Sequence, residues 1–374
     1  MRTDELDFEL PEDLIATRPA EPRDSSRLLV VSRSDPDRME DRVFSELPGL
    51  LDEGDVLVFN TSRVVKARVR GRMKGSGGRV EGLFLRAMGE AGGGRWVMLL
   101  RTKRARAGKV VELFEGAGEV VSGVELELIE RCDGEGGGAW VVGVRGCDGA
   151  DAEGVLARVG LMPLPPYILK QREVRGEGVE DEGDGARYQT VYAHGGAGSV
   201  AAPTAGLHFT DRVLEGLDAR GVVREEVELH VGIGTFRPIE SETLEGHVMH
   251  SEWCSMGSAS VRFAGGKPGG GRVIGVGSTS VRTLESYARV VEAGGSVDAP
   301  IETDIMIAPG YGWRWVDGMV TNFHLPRSTL IAMVAAALET EGVDGVARVR
   351  AVYAHAIRAG YRFYSYGDAM LILP

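Results

Sequence analysis

The run Gly198-Ser199-Val200-Ala201-Ala202-Pro203-Thr204-Ala205-Gly206-Leu207-His208-Phe209-Thr210 sets hydroxyls and one imidazole among small residues. Small residues let backbone approach a ligand closely, and His208 is the side chain there that titrates near neutral pH. A second run, Gly275-Val276-Gly277-Ser278-Thr279-Ser280, joins a strand to a helix. Amides at a helix start attract anions, Ser278 and Thr279 add hydroxyl donors, and Arg282 falls in the helix's first turn. His250 and Glu252 alternate as a strand would project them. A carboxylate beside an imidazole raises its basicity, which a general base requires.

With His247 and Cys254 that pair also invites a metal reading. No single element presents all four together, and the H-E-x-x-H pattern is absent, so no metal is expected. Asn322 and His324 precede the cap residue Ser328. They read either as loop groups that satisfy buried backbone or as substrate contacts. Tyr361, Phe363, Tyr364 and Tyr366 read as core, with base stacking as the alternative.

The elements that must position these groups follow from periodicity. Asp55 to Phe59 reads as a buried strand. From Val64 to Ile129 short alternating runs, such as Val124-Glu125-Leu126-Glu127-Leu128, are separated by glycine turns, and Trp140 to Val144 adds another. Strands without intervening helices imply a small β-barrel. Gly92 to Gly94 and Gly134 to Gly138 read as hairpin tips. Further on, the small-residue run ending at Phe209 as a strand, a helix capped by Thr210 to about Arg220, and a strand Val222 to Val231 give a strand–loop–helix–strand order. Arg272 to Gly277 and a helix Ser280 to Glu292 form a second βα unit. Helices follow over about 328–340 and 346–359, then a strand begins at Tyr361. The acidic stretch from Glu177 to Asp184 reads as an exposed loop. The fold class expected is α/β, a mixed main domain with an inserted small β-barrel. The divisions are 1–62, 63–155 and 156–374.

The chain has 374 residues, enough for two domains, and a formal net charge of −12. Its longest apolar run, Leu330 to Leu338, is too short to span a bilayer, and nothing at the charged start suggests export. Three cysteines fit no disulfide framework, so a cytoplasmic setting is expected. Acidity would argue against a nucleic-acid partner, but the charge is segregated. Between Asn60 and Lys109 fourteen Lys and Arg face only Glu81 and Glu90, a local balance of 14 − 2 = +12. Arg63, Lys66, Arg68, Arg70, Arg72 and Lys74 form one cluster; Arg101, Lys103, Arg104, Arg106 and Lys109 form the second. Such density reads as a phosphate-binding surface.

Ordered motifs along nearly the whole chain resemble the S-adenosylmethionine:tRNA ribosyltransferase-isomerase family of queuosine biosynthesis. They include Glu21-Pro22-Arg23-Asp24-Ser25-Ser26-Arg27-Leu28, Pro163-Leu164-Pro165-Pro166-Tyr167-Ile168, and Arg187-Tyr188-Gln189-Thr190-Val191-Tyr192-Ala193. Others are His230 to Pro238, Met249-His250-Ser251-Glu252, Thr321-Asn322-Phe323-His324-Leu325-Pro326, and Tyr361 to Met370. Thr61, Met306 and the missing Pro after Arg101 depart from the family pattern.

The resemblance implies transfer and isomerisation of the ribosyl group of S-adenosylmethionine onto 7-aminomethyl-7-deazaguanine in a tRNA anticodon. Epoxyqueuosine forms, and adenine and methionine are released. S-adenosylmethionine is then a consumed co-substrate, with no cofactor, and the protein a monomer without a membrane partner. His208, His250 and Glu252 are the expected catalytic groups. Gln189, Thr204, His230, Arg237, Ser278, Thr279, Arg282, Asn322 and His324 are expected on substrate. Arg63, Lys66, Arg68, Arg70, Arg72, Lys103, Arg104 and Arg106 are expected on tRNA. The rival readings are a metal-dependent hydrolase using His208, His230 and His250, and a non-enzymatic RNA-binding factor.

Overall fold

The computed structural model describes residues 1–35, 37–89, 94–103, 105–132, 138–179, 183–232, 239 and 241–374. Three strands come first: β1 (Arg27–Ser32), β2 (Met39–Val43) and β3 (Val56–Asn60). After β4 (Arg63–Val64) run β5 (Arg68–Met73), β6 (Arg79–Ala87), β7 (Arg95–Arg101), β8 (Val110–Phe114), β9 (Val121–Cys132) and β10 (Ala139–Arg145). Next are α1 (Ala152–Val159), β11 (Gly160–Leu161), α2 (Pro166–Val174), α3 (Asp184–Arg187), β12 (Ala197–Ser199), α4 (Asp211–Ala219) and β13 (Val223–Leu229). They lead to β14 (Glu252–Ser255), α5 (Ala259–Phe263), β15 (Val273–Val276), α6 (Gly277–Glu292) and β16 (Ile301–Thr303). The chain ends through β17 (Gly318–Asn322), α7 (Thr329–Leu338), α8 (Gly345–Arg358) and β18 (Ala369–Leu373).

The main sheet has nine strands in the order β16-β14-β13-β3-β15-β17-β18-β1-β2. Its centre, β13-β3-β15-β17, is parallel. β3 (Val-Leu-Val-Phe-Asn) is buried at every residue because both faces are covered. Val56 and Val58 pack with α6, α7 and α8, while Leu57 and Phe59 pack with Phe44 and α4. Period two thus sends alternate side chains into two separate cores.

The second sheet closes on itself through β5-β6-β7-β10-β9-β8 and a β5–β8 pairing, with β11 added beside β5. Val124, Leu126 and Leu128 alternate inward, as their pattern predicts. The expected fold class, a mixed α/β body with an inserted barrel, is the fold observed. Residue 155 falls inside α1, whose Val155, Leu156 and Val159 join the barrel core.

Some element expectations need correction. The terminal strand begins at Ala369, not Tyr361. Asp368 accepts the Arg362 amide at 2.9 Å and the Arg362 guanidinium at 2.9 Å, which closes 361–367 as a loop. The run ending at Phe209 holds only the short β12 and a 3-10 turn over Thr204–His208. Asp184, expected in an exposed loop, is buried in a 2.6 Å pair with Arg172. Residues 180–182 of that loop, and 92, 93 and 134–137 of the expected hairpin tips, lie outside the described residues. No helix among the described residues is long and apolar enough to cross a membrane.

Candidate active site

Open α/β sheets leave a crevice beyond the carboxyl ends of their parallel strands. Here Val231 after β13, Gly277 and Ser278 after β15, and Thr321 and Asn322 ending β17 line one continuous cleft. It has three chambers. The first carries His247, Met249, His250, Glu252, Arg282, Ile305, Met306, Ile307 and Met333, and is open to solvent. It shares Ser278, Thr279 and Leu330 with the second chamber. The second shares Thr204, Asn322, His324 and Leu330 with the third, which ends at Tyr167, Tyr364 and Ser365.

The β15–α6 turn supplies the partition. Gly277 sits at φ 86°, a conformation glycine adopts without penalty, and α6 starts there without a side-chain cap. Ser280 donates to the Val276 carbonyl at 2.9 Å and Thr283 to the Thr279 carbonyl at 3.0 Å. The buried Thr279 Oγ1, in contrast, has no hydrogen-bond partner among the described residues. An orphan hydroxyl beside uncapped amides is suited to a polar or anionic ligand group.

On the floor of the first chamber Arg282 pairs with Glu252; the two side chains are 6% and 4% exposed. Glu252 Oε1 also accepts the Gly232 amide at 2.9 Å, and Arg282 reaches the Thr303 carbonyl at 3.5 Å. Among the described residues, Arg282 Nε has no partner. The expected His250–Glu252 hydrogen bond is absent among the described residues. β14 begins only at Glu252, so strand alternation does not extend back to His250, which is exposed on the chamber's rim. His247 lines the same chamber. Burial and the neighbouring His250 lower its pKa, favouring a neutral imidazole able to accept a proton.

His208, expected as a base, lies behind the cleft wall. Its ring stacks on Phe44 at 5.1 Å, and burial pushes its pKa down to about 4. Asn322 Nδ2 donates to His208 Nε2 at 3.2 Å, so Nδ1 carries the proton toward Ser26 Oγ at 2.9 Å. The same Asn322 amide donates to the Tyr364 carbonyl at 3.2 Å, and its Oδ1 accepts the Thr204 hydroxyl at 2.9 Å. The Tyr364 carbonyl therefore fixes which way Asn322 points, the imidazole Nε2 accepts from the same amide, and Asn322 holds Thr204 at the cleft surface. His324 lines the second and third chambers. Its Nε2 lies 2.7 Å from Thr321 Oγ1, and burial lowers its pKa to about 3.

Other expected contacts lie elsewhere. Gln189 Oε1 accepts the Val64 amide at 3.2 Å and so holds the edge of β4. His230 pairs with Glu228 at 2.9 Å and leans on Trp253, away from the cleft-lining residues. A Cβ on Gly198 would meet its ring at 2.5 Å, so part of that small-residue run accommodates His230 rather than a ligand. Arg237 and Arg104 lie outside the described residues. Among the described residues no three His, Cys, Asp or Glu are placed together to hold a metal ion.

The two basic clusters differ. Arg63 pairs with Glu153 at 2.7 Å, Arg72 with Glu112 at 2.8 Å, Arg68 with Glu81 at 3.7 Å, and Lys74 with Glu125. Arg70 donates to the carbonyls of Ala117 and Gly118. Lys66 and, around the β7–β8 loop, Arg101, Lys103, Arg106 and Lys109 are exposed, with no ion pair among the described residues.

Sequence reasoning misses Tyr167, Ser365, Met249 and Met333 as lining residues, and His247 except as a metal ligand. Tyr364, read from sequence as core, is a buried member of the main core and also borders the third chamber. Their signal is weak, because an aromatic or Met beside other apolar residues reads as packing.

A family profile described as "Queuosine biosynthesis protein" matches residues 3–372. Three relatives carry the name S-adenosylmethionine:tRNA ribosyltransferase-isomerase. The protein of Rubrobacter xylanophilus is 47% identical, covering 100% of this chain and 98% of its own. That of Methylorubrum extorquens is 46% identical, covering 100% and 97%. That of Gloeobacter violaceus is 44% identical, covering 100% and 96%. The crystal structure of the S-adenosylmethionine tRNA ribosyltransferase from Thermotoga maritima matches with a TM-score of 0.51 at 31% identity, over 99% of this chain and 100% of that one.

Proposed function

Because the chain belongs to the queuosine biosynthesis protein family, we propose that it is an S-adenosylmethionine:tRNA ribosyltransferase-isomerase. It transfers and isomerises the ribosyl group onto 7-aminomethyl-7-deazaguanine in a tRNA anticodon, giving epoxyqueuosine. The end-to-end likeness to relatives of that one name carries the reading. The cleft supports it with side chains suited to the steps. The sulfonium acidifies the ribose C5′ hydrogens, so a base withdraws one and adenine leaves as the sugar opens. Ring opening at C4′–O leaves a vinyl sulfonium, to whose C4′ the aminomethyl nitrogen adds with loss of a proton, so that the C5′ ylide is restored. The sulfonium carbon then closes on the carbonyl, and the alkoxide expels methionine to form the epoxide. Such a sequence needs proton acceptors, donors for an oxyanion, and limited water.

The first chamber offers His247 and His250 as acceptors. Arg282, Ser278 and Thr279 take the methionyl carboxylate, with Glu252 holding the guanidinium. Thr204, Asn322 and His324 face the ribose, and His208 positions them from behind. S-adenosylmethionine is a substrate, and the reading needs no resident cofactor. The exposed β7–β8 cations and Lys66 meet tRNA phosphates, and the protein works as a monomer in the cytoplasm. The test mixes the protein, S-adenosylmethionine and tRNA bearing the modified base, and follows free adenine and methionine by chromatography. Stoichiometric release of both is expected; a folded protein that releases no adenine overturns the reading.

A further inference from the structure

The far end of the cleft carries a backbone conformation that core packing alone does not require. Tyr364 sits at φ 73°, in the left-handed region that side-chain-bearing residues seldom occupy. Hydrogen bonds hold it there. Its amide donates to the Phe323 carbonyl at 3.0 Å, and its carbonyl accepts from Gly367 N at 2.9 Å and Asn322 Nδ2 at 3.2 Å. All four aromatics of this loop are buried, Tyr364 at 8% exposure against 1% or less for Tyr361, Phe363 and Tyr366. Of the four, Tyr364 is the one that also borders the third chamber, so the unusual backbone coincides with the cleft.

Tyr364 meets Tyr167 edge-on, with centroids 4.6 Å apart and planes at 61°. Tyr167 is fixed in turn, since its hydroxyl is bonded to Ser365 Oγ and accepts the Ser365 amide at 3.1 Å. Burial pushes that phenol up to about 12, so it remains protonated at working pH. Asn322, His324 and Ser365 add polar groups around the aromatic pair. A chamber with aromatic walls and a few polar groups is what a planar heterocycle with hydrogen-bonding edges requires.

We propose that Tyr364 and Tyr167 form the seat of the modified anticodon base, swung out of the tRNA loop into this third chamber. The proposal rests on the ribosyltransferase-isomerase reading and adds where the acceptor lies. The first chamber already holds the guanidinium that this reading gives to the methionyl carboxylate, and the aliphatic side chains of Ile305, Ile307 and Leu330 beside it offer adenine an apolar surface. The opposite end of the cleft, joined to it by way of the second chamber, is left for the acceptor. An anticodon base is already in a single-stranded loop, so displacing it is cheaper than extracting one from a duplex.

The test uses two variants of the full chain. Tyr364→Gly keeps the left-handed backbone and removes the ring; Tyr167→Leu removes the partner ring. Steady-state adenine release is measured with tRNA carrying the modified base, and S-adenosylmethionine binding by calorimetry. KM for that tRNA should rise on the order of tenfold to a hundredfold, the scale of removing one base–aromatic stack. Affinity for S-adenosylmethionine and for tRNA lacking the modification should stay at the parent value. A general loss of structure would move all three, and Tyr167→Leu decides alone if Tyr364→Gly does not fold. An unchanged KM overturns the seat, as does a selective loss of S-adenosylmethionine affinity, which would assign the chamber to adenine. Absence of adenine release from the parent protein would instead overturn the function.

Discussion

Glu252→Gln tests the floor of the first chamber. The carboxylate accepts from two directions, Arg282 on one oxygen and the Gly232 amide at 2.9 Å on the other. An amide of the same shape has only one accepting oxygen, so one donor must face its NH₂ group. The guanidinium, 6% exposed, would keep the Thr303 carbonyl at 3.5 Å but lose its opposite charge. Removing one partner of a buried pair costs about 3–5 kcal/mol. With a urea m-value near 3 kcal/mol/M, that is a midpoint shift of roughly 1 M or more. Glu252→Gln with Arg282→Met removes both charges and lets the amide oxygen serve Gly232. The double variant should therefore recover most of the stability, giving a coupling energy of about 2–4 kcal/mol.

Activity separates the pair's structural share from its binding share. Adenine release should fall on the order of a hundredfold in the single variant, the scale for misplacing a group that positions the substrate. It should stay low in the double variant, because Arg282 no longer meets the methionyl carboxylate. Urea unfolding followed by fluorescence, and adenine release at saturating tRNA, read the two effects. A single variant within about 1 kcal/mol of the parent would refute the buried-pair reasoning. A double variant with parental adenine release would make the pair scaffold only.

Two further outcomes follow from charge and burial. Lys103→Glu with Arg106→Glu should weaken tRNA binding and flatten its salt dependence, by about 0.9 in log–log slope for each phosphate no longer neutralised. Arg72→Gln, which removes a cation already paired with Glu112, should change that slope little; equal effects in filter-binding titrations would refute the distinction. Stability should be fullest above pH 6.5 and be lost as pH falls toward 4, because His208 and His324 have folded pKa values of about 4 and about 3. The unfolded chain binds protons first in that window, and His208 alone accounts for a loss on the order of 3 kcal/mol. His208→Gln should flatten the slope between pH 7 and pH 5 in urea unfolding; a parent-like slope would show that this imidazole is not the group responsible.

What is legible in the sequence is local. The β15–α6 turn announces itself by two glycines and three hydroxyl residues, and the barrel by alternation whose inward members fill its core. The caps at Thr210 and Ser328 are likewise present, each accepting a backbone amide three residues on. What stays hidden depends on closure. The count of +12 over 60–109 stops just short of Glu112 and Glu125, which barrel closure sets against Arg72 and Lys74, and of Glu153, the partner of Arg63. Sequence reading matches Glu252 with the imidazole two residues before it because neighbours along the chain are the only partners visible there. The sheet instead brings up Arg282 from the helix that follows β15, three strands away from β14. His208 shows the same limit. Its residue type marks a titratable group, but whether it serves as base or as brace depends on Phe44, Ser26 and Asn322, which come from three distant segments. A neutral imidazole sealed behind the wall still shapes the cleft: its Nε2 accepts from the same Asn322 amide that donates to the Tyr364 carbonyl, and that orientation leaves the Asn322 oxygen to accept the Thr204 hydroxyl at the cleft surface.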